Sequence, residues 1–418
     1  MTDHLTVVPG GKAGKPRSSK WQGQLLTGDK GNVKACLANV ELILTHHDAW
    51  RGVARFNQFA GQVMATKAPP DCSDECTYPR PWSSEDDTRA AIWIQRKFGC
   101  VVSSVLVTEA INVVAQRDGY HPIREELRAV QWDGERRLDT WLTDCLGVER
   151  TPYSEAVGAM WLISSVARIE KPGCKADHVL VLEGEQGRGK STALKILAGE
   201  EYFSDQVEDF GSKDAAMQLK ERRIVEMSEL VELSRGKQEQ AKAFLTRTHD
   251  RFRPPYGRRV VEVPRQCVFA GSTNASTYLA DATGARRIWA VKVGTIDLER
   301  LAAVRDQLWA EAFVDYTGGR RWWPDAAQLE SFRAEQEQRF QVDAWEALLA
   351  DWLESRTTTN AITTGALLQQ AVGKDPGAWT RADEMRIANS MKRLGYDQER
   401  RMLDGKRVRF WVQVGQDG

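Results

Sequence analysis

The hydrophobic and polar positions divide the chain into a polar start and three patterned stretches. Residues 1–30 are rich in Gly, Lys and Ser with little apolar pattern, which predicts a mobile tail. Within residues 31–149, apolar residues recur every three to four positions in the segments 35–47, 86–99 and 107–119. That spacing is typical of amphipathic helices. The pattern therefore predicts a helical N-terminal domain.

A second pattern begins near residue 150. Residues 150–328 alternate short apolar runs with amphipathic stretches, which predicts an α/β domain with a largely parallel sheet. Residues 335–418 contain three helical patterns followed by a strand–turn–strand with Asp404-Gly405 at the turn. Three helices and a hairpin in this order predict a winged-helix-like domain.

Composition narrows the class of protein. Basic and acidic residues balance at 58 each, so any affinity for nucleic acid must come from local patches. The seven cysteines are scattered, which indicates reduced thiols; Cys72 and Cys76 lack the second pair that a zinc site needs. The chain shows neither a signal peptide nor an apolar run near the ~20 residues of a membrane span. We expect a protein of the bacterial host cytoplasm with no membrane partner.

The strongest motif is "VLVLEGEQGRGKSTALKILAG" at 179–199, an apolar strand, a glycine-rich turn and a helix. It satisfies GxxxxGK[ST], the phosphate-binding loop. Lys190 is expected to reach the β- and γ-phosphates of ATP, and the Ser191 hydroxyl to bind Mg²⁺. The predicted ATP-binding residues are Gly184, Glu185, Gln186, Gly187, Arg188, Gly189, Lys190, Ser191 and Thr192.

Hydrolysis also needs residues that activate water and stabilise charge. "RRIVEMSEL" (222–230) is an apolar strand that ends in acids, and we favour Glu229 over Glu226 as the water-polarising, Mg²⁺-associated carboxylate. Asn274 ends the apolar run "QCVFAGSTN" and is placed to hold the attacking water. Arg286 or Arg287, just before another apolar strand, suits an arginine finger that reaches a neighbouring subunit's nucleotide.

Between these motifs lies a basic segment, "AKAFLTRTHDRFRPPYGRRVVEV". Its cations are interleaved with Phe252 and Tyr256, and such interleaving fits backbone contacts and base stacking with single-stranded DNA. Pro254-Pro255 and Gly257 indicate a projecting loop or hairpin tip. The predicted DNA-binding residues are Lys242, Arg247, Arg251, Arg253, Tyr256, Arg258 and Arg259.

These motifs in this order resemble the virulence-associated protein E family of phages, prophages and mobile elements, within the superfamily 3 helicase-like, primase-linked AAA+ ATPases. The likeness covers most of residues 31–324 and includes "WDGERRLDTW", "IVEMSEL", "KAFLTRTHDRFRPPYGR" and "YLADATGARRIWAV". It implies an AAA+ core with Lys190 and Ser191 as Walker A, Glu229 in Walker B, Asn274 as sensor and Arg286 or Arg287 as finger. It also implies segment 242–259 as a DNA contact and a hexameric homo-oligomeric ring around single-stranded DNA.

One departure concerns the residues before the ATPase domain. Many relatives carry a primase-polymerase domain there, whereas about 150 residues precede the ATPase domain here without a convincing acidic metal site. Primase activity is not predicted. The N-terminal domain is expected to be a collar, or a dock for a separate primase or initiator.

The resulting hypothesis is an ATP-dependent DNA helicase or translocase that acts in replication of a phage or mobile element. Two alternatives stay open. One is a DNA-dependent ATPase that loads or remodels other proteins. The other is a winged-helix DNA-binding initiator with a nucleotide switch, favoured by nine Lys or Arg against five acids between Arg381 and Arg409.

Overall fold

The computed structural model describes residues 20–72, 76–206, 213–227, 235–253, 260–274, 287–337, 339, 344–356, 362–403 and 406–414. The described residues up to 333 form one compact unit, and those from 334 onward form a second. Within these ranges, no helix combines the length and the apolar character that crossing a bilayer requires.

The first unit begins with helices packed on a small sheet. The helices are α1 (Leu37–His46), α2 (Ser84–Phe98) and α3 (Ser104–Arg117), and the strands are β1 (Ala54–Asn57), β2 (Gln62–Ala65), β3 (Arg80–Pro81) and β4 (Gly119–Tyr120). The strand order is β3-β2-β1-β4, with β1 antiparallel to β2 and parallel to β4. The three helices lie where the periodicity predicts them. The sheet was missed, because strands of two to four residues are too short to show alternation.

Three further helices lead to the central sheet: α4 (Pro122–Ala129), α5 (Trp141–Leu146) and α6 (Pro152–Glu170). Thr151 caps α6 through reciprocal hydrogen bonds with Ser154, and Pro152 occupies its first turn, where no backbone donor is lost. Nearly every residue of α6 is buried, which is typical of a helix inside a core. Its apolar side chains join the same hydrophobic cluster as the central strands.

The central sheet consists of β5 (Val179–Glu183), β6 (Phe203–Ser204), β7 (Ile224–Glu226), β10 (Val268–Thr273) and β11 (Ile288–Lys292). Its strand order is β11-β5-β10-β7-β6, and all of its strands run parallel. The accompanying helices are α7 (Lys190–Ala198), α8 (Lys213–Gln218), α9 (Arg235–Leu245), α10 (Leu298–Thr317) and α11 (Gln328–Glu337). The predicted parallel α/β architecture is confirmed. The carboxyl ends of β5, β7 and β10 meet at one edge of the sheet.

A separate antiparallel hairpin, β8 (His249–Phe252) and β9 (Val261–Pro264), interrupts the alternation between α9 and β10. The hairpin lies where the sequence predicts a projecting loop or hairpin tip, and the tip itself, residues 254–259, lies outside the described residues.

Short 3₁₀ turns occur at Gln22–Gln24, Asp48–Trp50, Glu200–Tyr202 and Pro376–Ala378.

The second unit contains α12 (Ala344–Glu354), α13 (Thr364–Ala366), α14 (Arg381–Arg393) and the hairpin β12 (Tyr396–Leu403) and β13 (Lys406–Gln413). A π-helical turn, Leu367–Ala371, continues α13. A small core holds these elements together, formed by Leu349, Leu367, Leu368, Ile387, Met391 and Trp411. Three helical segments and a hairpin thus occur in the expected order, and the winged-helix likeness stays a prediction.

Candidate nucleotide-binding site

The loop between β5 and α7 has the backbone shape of a phosphate cradle. Gly187 and Gly189 adopt positive φ values of 81° and 86°, which disfavour any residue with a side chain. A Cβ at Gly184 would lie 2.8 Å from Cγ2 of Val293, so the loop also passes close to the chain after β11. Gly189 is the N-terminal cap of α7, and the backbone N–H groups of that helix start beside the loop.

Lys190 is tied to the loop by its own ammonium group. Its side chain is buried, and Nζ donates to the carbonyl oxygens of Gly184 (2.5 Å) and Glu185 (2.8 Å) and to Oδ1 of Asn274 (3.2 Å). Burial lowers the pKa of Lys190, and the negative charge of Glu226 acts in the opposite direction. A phosphate ligand at this loop would replace carbonyl oxygens around the ammonium with charged acceptors.

Glu226 occupies the carboxyl end of β7 and is only 1% exposed. Its Oε1 accepts hydrogen bonds from the hydroxyls of Ser191 (2.9 Å) and Ser272 (2.7 Å). Its Oε2 has no hydrogen-bond partner among the described residues, although a buried carboxylate oxygen without a partner is costly. The structure thus brings the second choice of the two acids to Ser191, while the preferred Glu229 lies outside the described residues.

Asn274 completes the group from the neighbouring strand. It follows β10, which pairs in parallel with β5, and the N–H of Gly184 donates to the carbonyl of Thr273 at 3.0 Å. Strands β5, β7 and β10 therefore place Lys190, Ser191, Glu226 and Asn274 together. Ser272 is the member that the sequence did not single out. Its hydroxyl near the end of an apolar strand, two residues before Asn274, is the sequence signal that could have identified it.

The two candidate finger residues differ. Arg287 donates from Nε to Oδ2 of Asp177 at 3.2 Å, and both side chains are largely buried. Its carbonyl accepts the N–H of Val179 at 2.8 Å, which places it at the amino end of the sheet, opposite the phosphate-binding loop. Arg286 lies outside the described residues. The pairing with Asp177 gives Arg287 a role inside its own subunit.

The hairpin β8–β9 presents part of the predicted DNA contact. Arg251 and Arg253 are exposed, with Arg251 directly opposite Glu262. Arg247 is exposed near the ring of Phe244, and Lys242 is half-buried on α9. Phe252 was expected beside the bases, but it is 3% exposed, and Nζ of Lys220 lies 5.3 Å from its ring centre. That expectation was wrong, because alternate residues of a strand point to opposite faces. Tyr256, Arg258 and Arg259 lie outside the described residues.

A buried ion pair fixes the base of this hairpin. The guanidinium of Arg265 binds both carboxylate oxygens of Asp250 at 2.8 Å and also donates to the carbonyl of Phe244 on α9. Such a bidentate pair has a defined geometry. It joins β8 to α9 and to the residue that follows β9, so it braces the strand that carries Arg251.

The described residues contain no group of three or more His, Cys, Asp or Glu that could hold a metal by themselves. Mg²⁺ in nucleotide enzymes takes few protein ligands and keeps phosphate oxygens and waters. A hydroxyl beside a carboxylate with a vacant oxygen, as in Ser191 and Glu226, fits that requirement. Cys72 accepts a hydrogen bond from Arg89 at 3.1 Å, and Cys76 is exposed.

Comparison with known proteins gives a family and a fold. The model of the virulence-associated protein E-like domain matches residues 127–341. A search of curated proteins gives no match. The apo structure of the C-terminal region of NrS-1 (305–718) is similar, with 13% identity, a TM-score of 0.50, and coverage of 89% of this chain and 99% of that chain. A second apo structure of that region, the A form, has 14% identity, a TM-score of 0.45, and coverage of 86% and 96%.

Proposed function

Since this chain belongs to the virulence-associated protein E-like family, we propose that it hydrolyses ATP to translocate on or unwind DNA during replication of a phage or mobile element. The observation that carries the proposal is the meeting of Lys190, Ser191, Glu226 and Asn274 at the carboxyl ends of three parallel strands. In open α/β sheets, ligands bind at this edge. The glycine backbone of the loop supplies the N–H donors that phosphate needs.

Each of the four residues has a role in this proposal. Lys190 exchanges its loop carbonyls for the β- and γ-phosphate oxygens. Ser191 and Glu226 would hold Mg²⁺, which would supply positive charge to the phosphates. Asn274, within hydrogen-bond distance of Lys190, orients the attacking water. Glu229 polarises that water.

The DNA contact and the assembly form the second half of the proposal. Single-stranded DNA follows the basic hairpin, with Arg251 and Arg253 on phosphates and Tyr256 stacked on a base. Arg286 is the finger that acts on the neighbouring subunit's ATP, because Arg287 already pairs with Asp177. The subunits form a hexameric ring, and a separate primase or initiator binds the N-terminal part.

The deciding experiment measures ATPase rate with and without single-stranded DNA for the wild type, Lys190→Ala and Lys195→Ala. Lys195 lies on the same helix and pairs with Glu200 on the surface, so it is the matched control. We expect DNA-stimulated turnover in the wild type and the control. In the wild type, ATP at 100 times its Kd should stabilise the folded state by about 2.7 kcal/mol and raise the melting temperature. Lys190→Ala should lose both this rise and turnover, because it no longer binds ATP.

Two results would contradict the proposal. Normal ATP affinity in Lys190→Ala would show that the loop does not bind the phosphates of ATP. An ATPase rate that single-stranded DNA leaves unchanged would show that the protein is not a DNA-dependent motor. Strand displacement on a forked duplex then distinguishes unwinding from translocation without unwinding.

A further inference from the structure

The outer half of the hairpin β12–β13 carries arginines on one side. In the register of the two strands, Arg400 lies directly opposite Arg409, and Met402 lies opposite Arg407. These four residues share one face, because side chains on a strand alternate between faces. All four are exposed, Met402 by 64%. We call Arg400, Met402, Arg407 and Arg409 the arginine face.

The arrangement of charge on this face is unfavourable for the fold alone. Like charges directly opposite each other destabilise a pair of strands. The side chains of Arg400, Arg407 and Arg409 have no ion pair or hydrogen bond with any residue that the structure describes. Arg401, on the other face of the same ribbon, pairs with Glu399 at 2.7 Å. The arginine face therefore presents positive charge that the described part of the protein does not neutralise.

The adjacent helix α14 uses its cations differently. The guanidinium of Arg386 lies 4.0 Å from the ring centre of Trp345, and Arg393 pairs with Glu346 at 2.7 Å. Both contacts hold α14 against α12. The helix also carries Asp383 and Glu384 in its first turn. Two of the four cations of α14 are thus engaged within the unit, whereas the three arginines of the arginine face have no acidic partner among the described residues.

The base of the ribbon is firmly attached. The N–H of Trp411 donates to the carbonyl of Ile362 at 2.8 Å, and its indole donates to Oγ1 of Thr364 at 3.1 Å. Phe410 and Trp411 are buried. The buried base fixes the direction of the strands, so the exposed half presents its arginines as a preformed surface.

We propose that the arginine face binds the phosphate backbone of double-stranded DNA. Arginine forks match phosphate oxygens, and the major groove, about 12 Å wide, admits a two-stranded ribbon. Proteins that hold single strands stack bases on exposed aromatic rings. The aromatic residues on the same side of the ribbon, Tyr396 and Trp411, pack instead on the core of the unit. The arginine face belongs to the second unit, whereas the ATP loop and the hairpin β8–β9 belong to the first, and this proposal does not depend on the proposed function.

The test uses the full chain with Arg400→Gln, Arg407→Gln and Arg409→Gln combined. The matched control is Arg381→Gln, Lys392→Gln and Arg401→Gln, which removes the same charge from the same unit but away from the face. Fluorescence anisotropy measures affinity for a short mixed-sequence duplex and for a single strand across a salt series. We expect the log–log salt slope for duplex to fall by about 2.7, at ~0.9 for each lost phosphate contact. Single-strand binding and basal ATPase should stay unchanged.

Three results would overturn this assignment: unchanged duplex affinity and slope, an equal loss in the control, or an equal loss of single-strand binding. The arginine variant should melt at the same temperature as the wild type or higher, since a repulsive pair is removed. If the triple variant does not fold, Arg409→Gln alone decides, with an expected slope reduction of about 0.9.

Discussion

At the scale of single residues, Glu226 at the end of β7 and Glu229, three residues later in sequence, make a testable pair. Glu226→Gln should keep the fold, because its remaining carbonyl oxygen still accepts from Ser191 and Ser272. It should lose the Mg²⁺ dependence of ATP binding and most turnover, since an amide is a poor ligand for Mg²⁺. Glu229→Gln should keep binding and lose turnover by about 10²–10⁴-fold, the range for a general base.

The measurements are ATPase rate and ATP affinity with and without Mg²⁺, with Glu200→Gln as a surface control. A Glu226→Gln variant with unchanged Mg²⁺ dependence would show that this carboxylate does not hold the metal. Normal turnover in Glu229→Gln would remove Glu229 from the mechanism.

Single residues also show how far sequence reasoning reaches in the site. Lys190 and Ser191 follow from one motif, because a phosphate-binding loop dictates both residue type and spacing. The order of preference between Glu226 and Glu229 could not be settled from sequence, since it depends on where β7 ends. Phe252 was misjudged because the face of a short strand depends on its partner strand. The sequence gives no reason to prefer Arg286 or Arg287 as the finger. Only the pairing of β11 with β5 brings Arg287 to Asp177, and this contact is not visible in the sequence.

At the scale of elements, the hairpin β8–β9 is expected to carry single-strand binding. Replacing Arg251, Arg253 and Tyr256 by Ala should weaken binding and remove DNA stimulation of the ATPase, while basal turnover stays. The salt slope should fall by roughly 1.4, at ~0.7 per phosphate contact. Arg128→Ala with Arg150→Ala is the control, since both arginines are exposed and each already pairs with an acid, Glu170 and Glu155 respectively.

If the hairpin variant keeps its affinity for single-stranded DNA and its salt slope, the DNA contact lies in another part of the protein. The control variant shows whether lower total charge alone weakens DNA binding. A circular dichroism melt of both variants should show unchanged folding, because the Asp250–Arg265 pair that supports the hairpin stays intact.

The helices and strands differ in how well the hydrophobic pattern of the sequence predicts them. The fully buried β5 and the three amphipathic helices α1–α3 are long enough to repeat their pattern. Strands β1–β4 are not, and their pairing depends on residues far apart, such as Phe56 with Gly119. A contact between distant segments leaves no local periodicity, so that sheet could not have been predicted from pattern alone.

At the scale of the whole molecule, the ring can be tested by mixing two defective variants. An Arg286→Ala subunit keeps its own loop, and a Lys190→Ala subunit keeps its finger. Mixed rings contain some interfaces with both parts intact, so ATPase activity should partly return; a finger is worth about 10³-fold or more in turnover. Arg287→Ala is the comparison variant, and it should lower the melting temperature instead, because it leaves Asp177 without its partner.

Subunits should be co-expressed so that exchange is complete, with mass measurement to show that mixed oligomers form. Mixed oligomers without recovered activity would rule out Arg286 as the finger. A protein that stays monomeric with ATP analogue and DNA present would rule out the ring.

The strand order also constrains when the protein can fold during synthesis. Strand β10 lies between β5 and β7, so β5 has no neighbour until residue 273 has been made, and its other neighbour, β11, ends at residue 292. Pairings this distant in sequence are slow to form, and unpaired strands of this kind are exposed to aggregation. On the ribosome, the apolar run Val179–Leu182 must therefore wait for about a quarter of the chain to follow it. Nascent chains that stop before β10 should depend on a holding chaperone, whereas chains extended past β11 should resist protease.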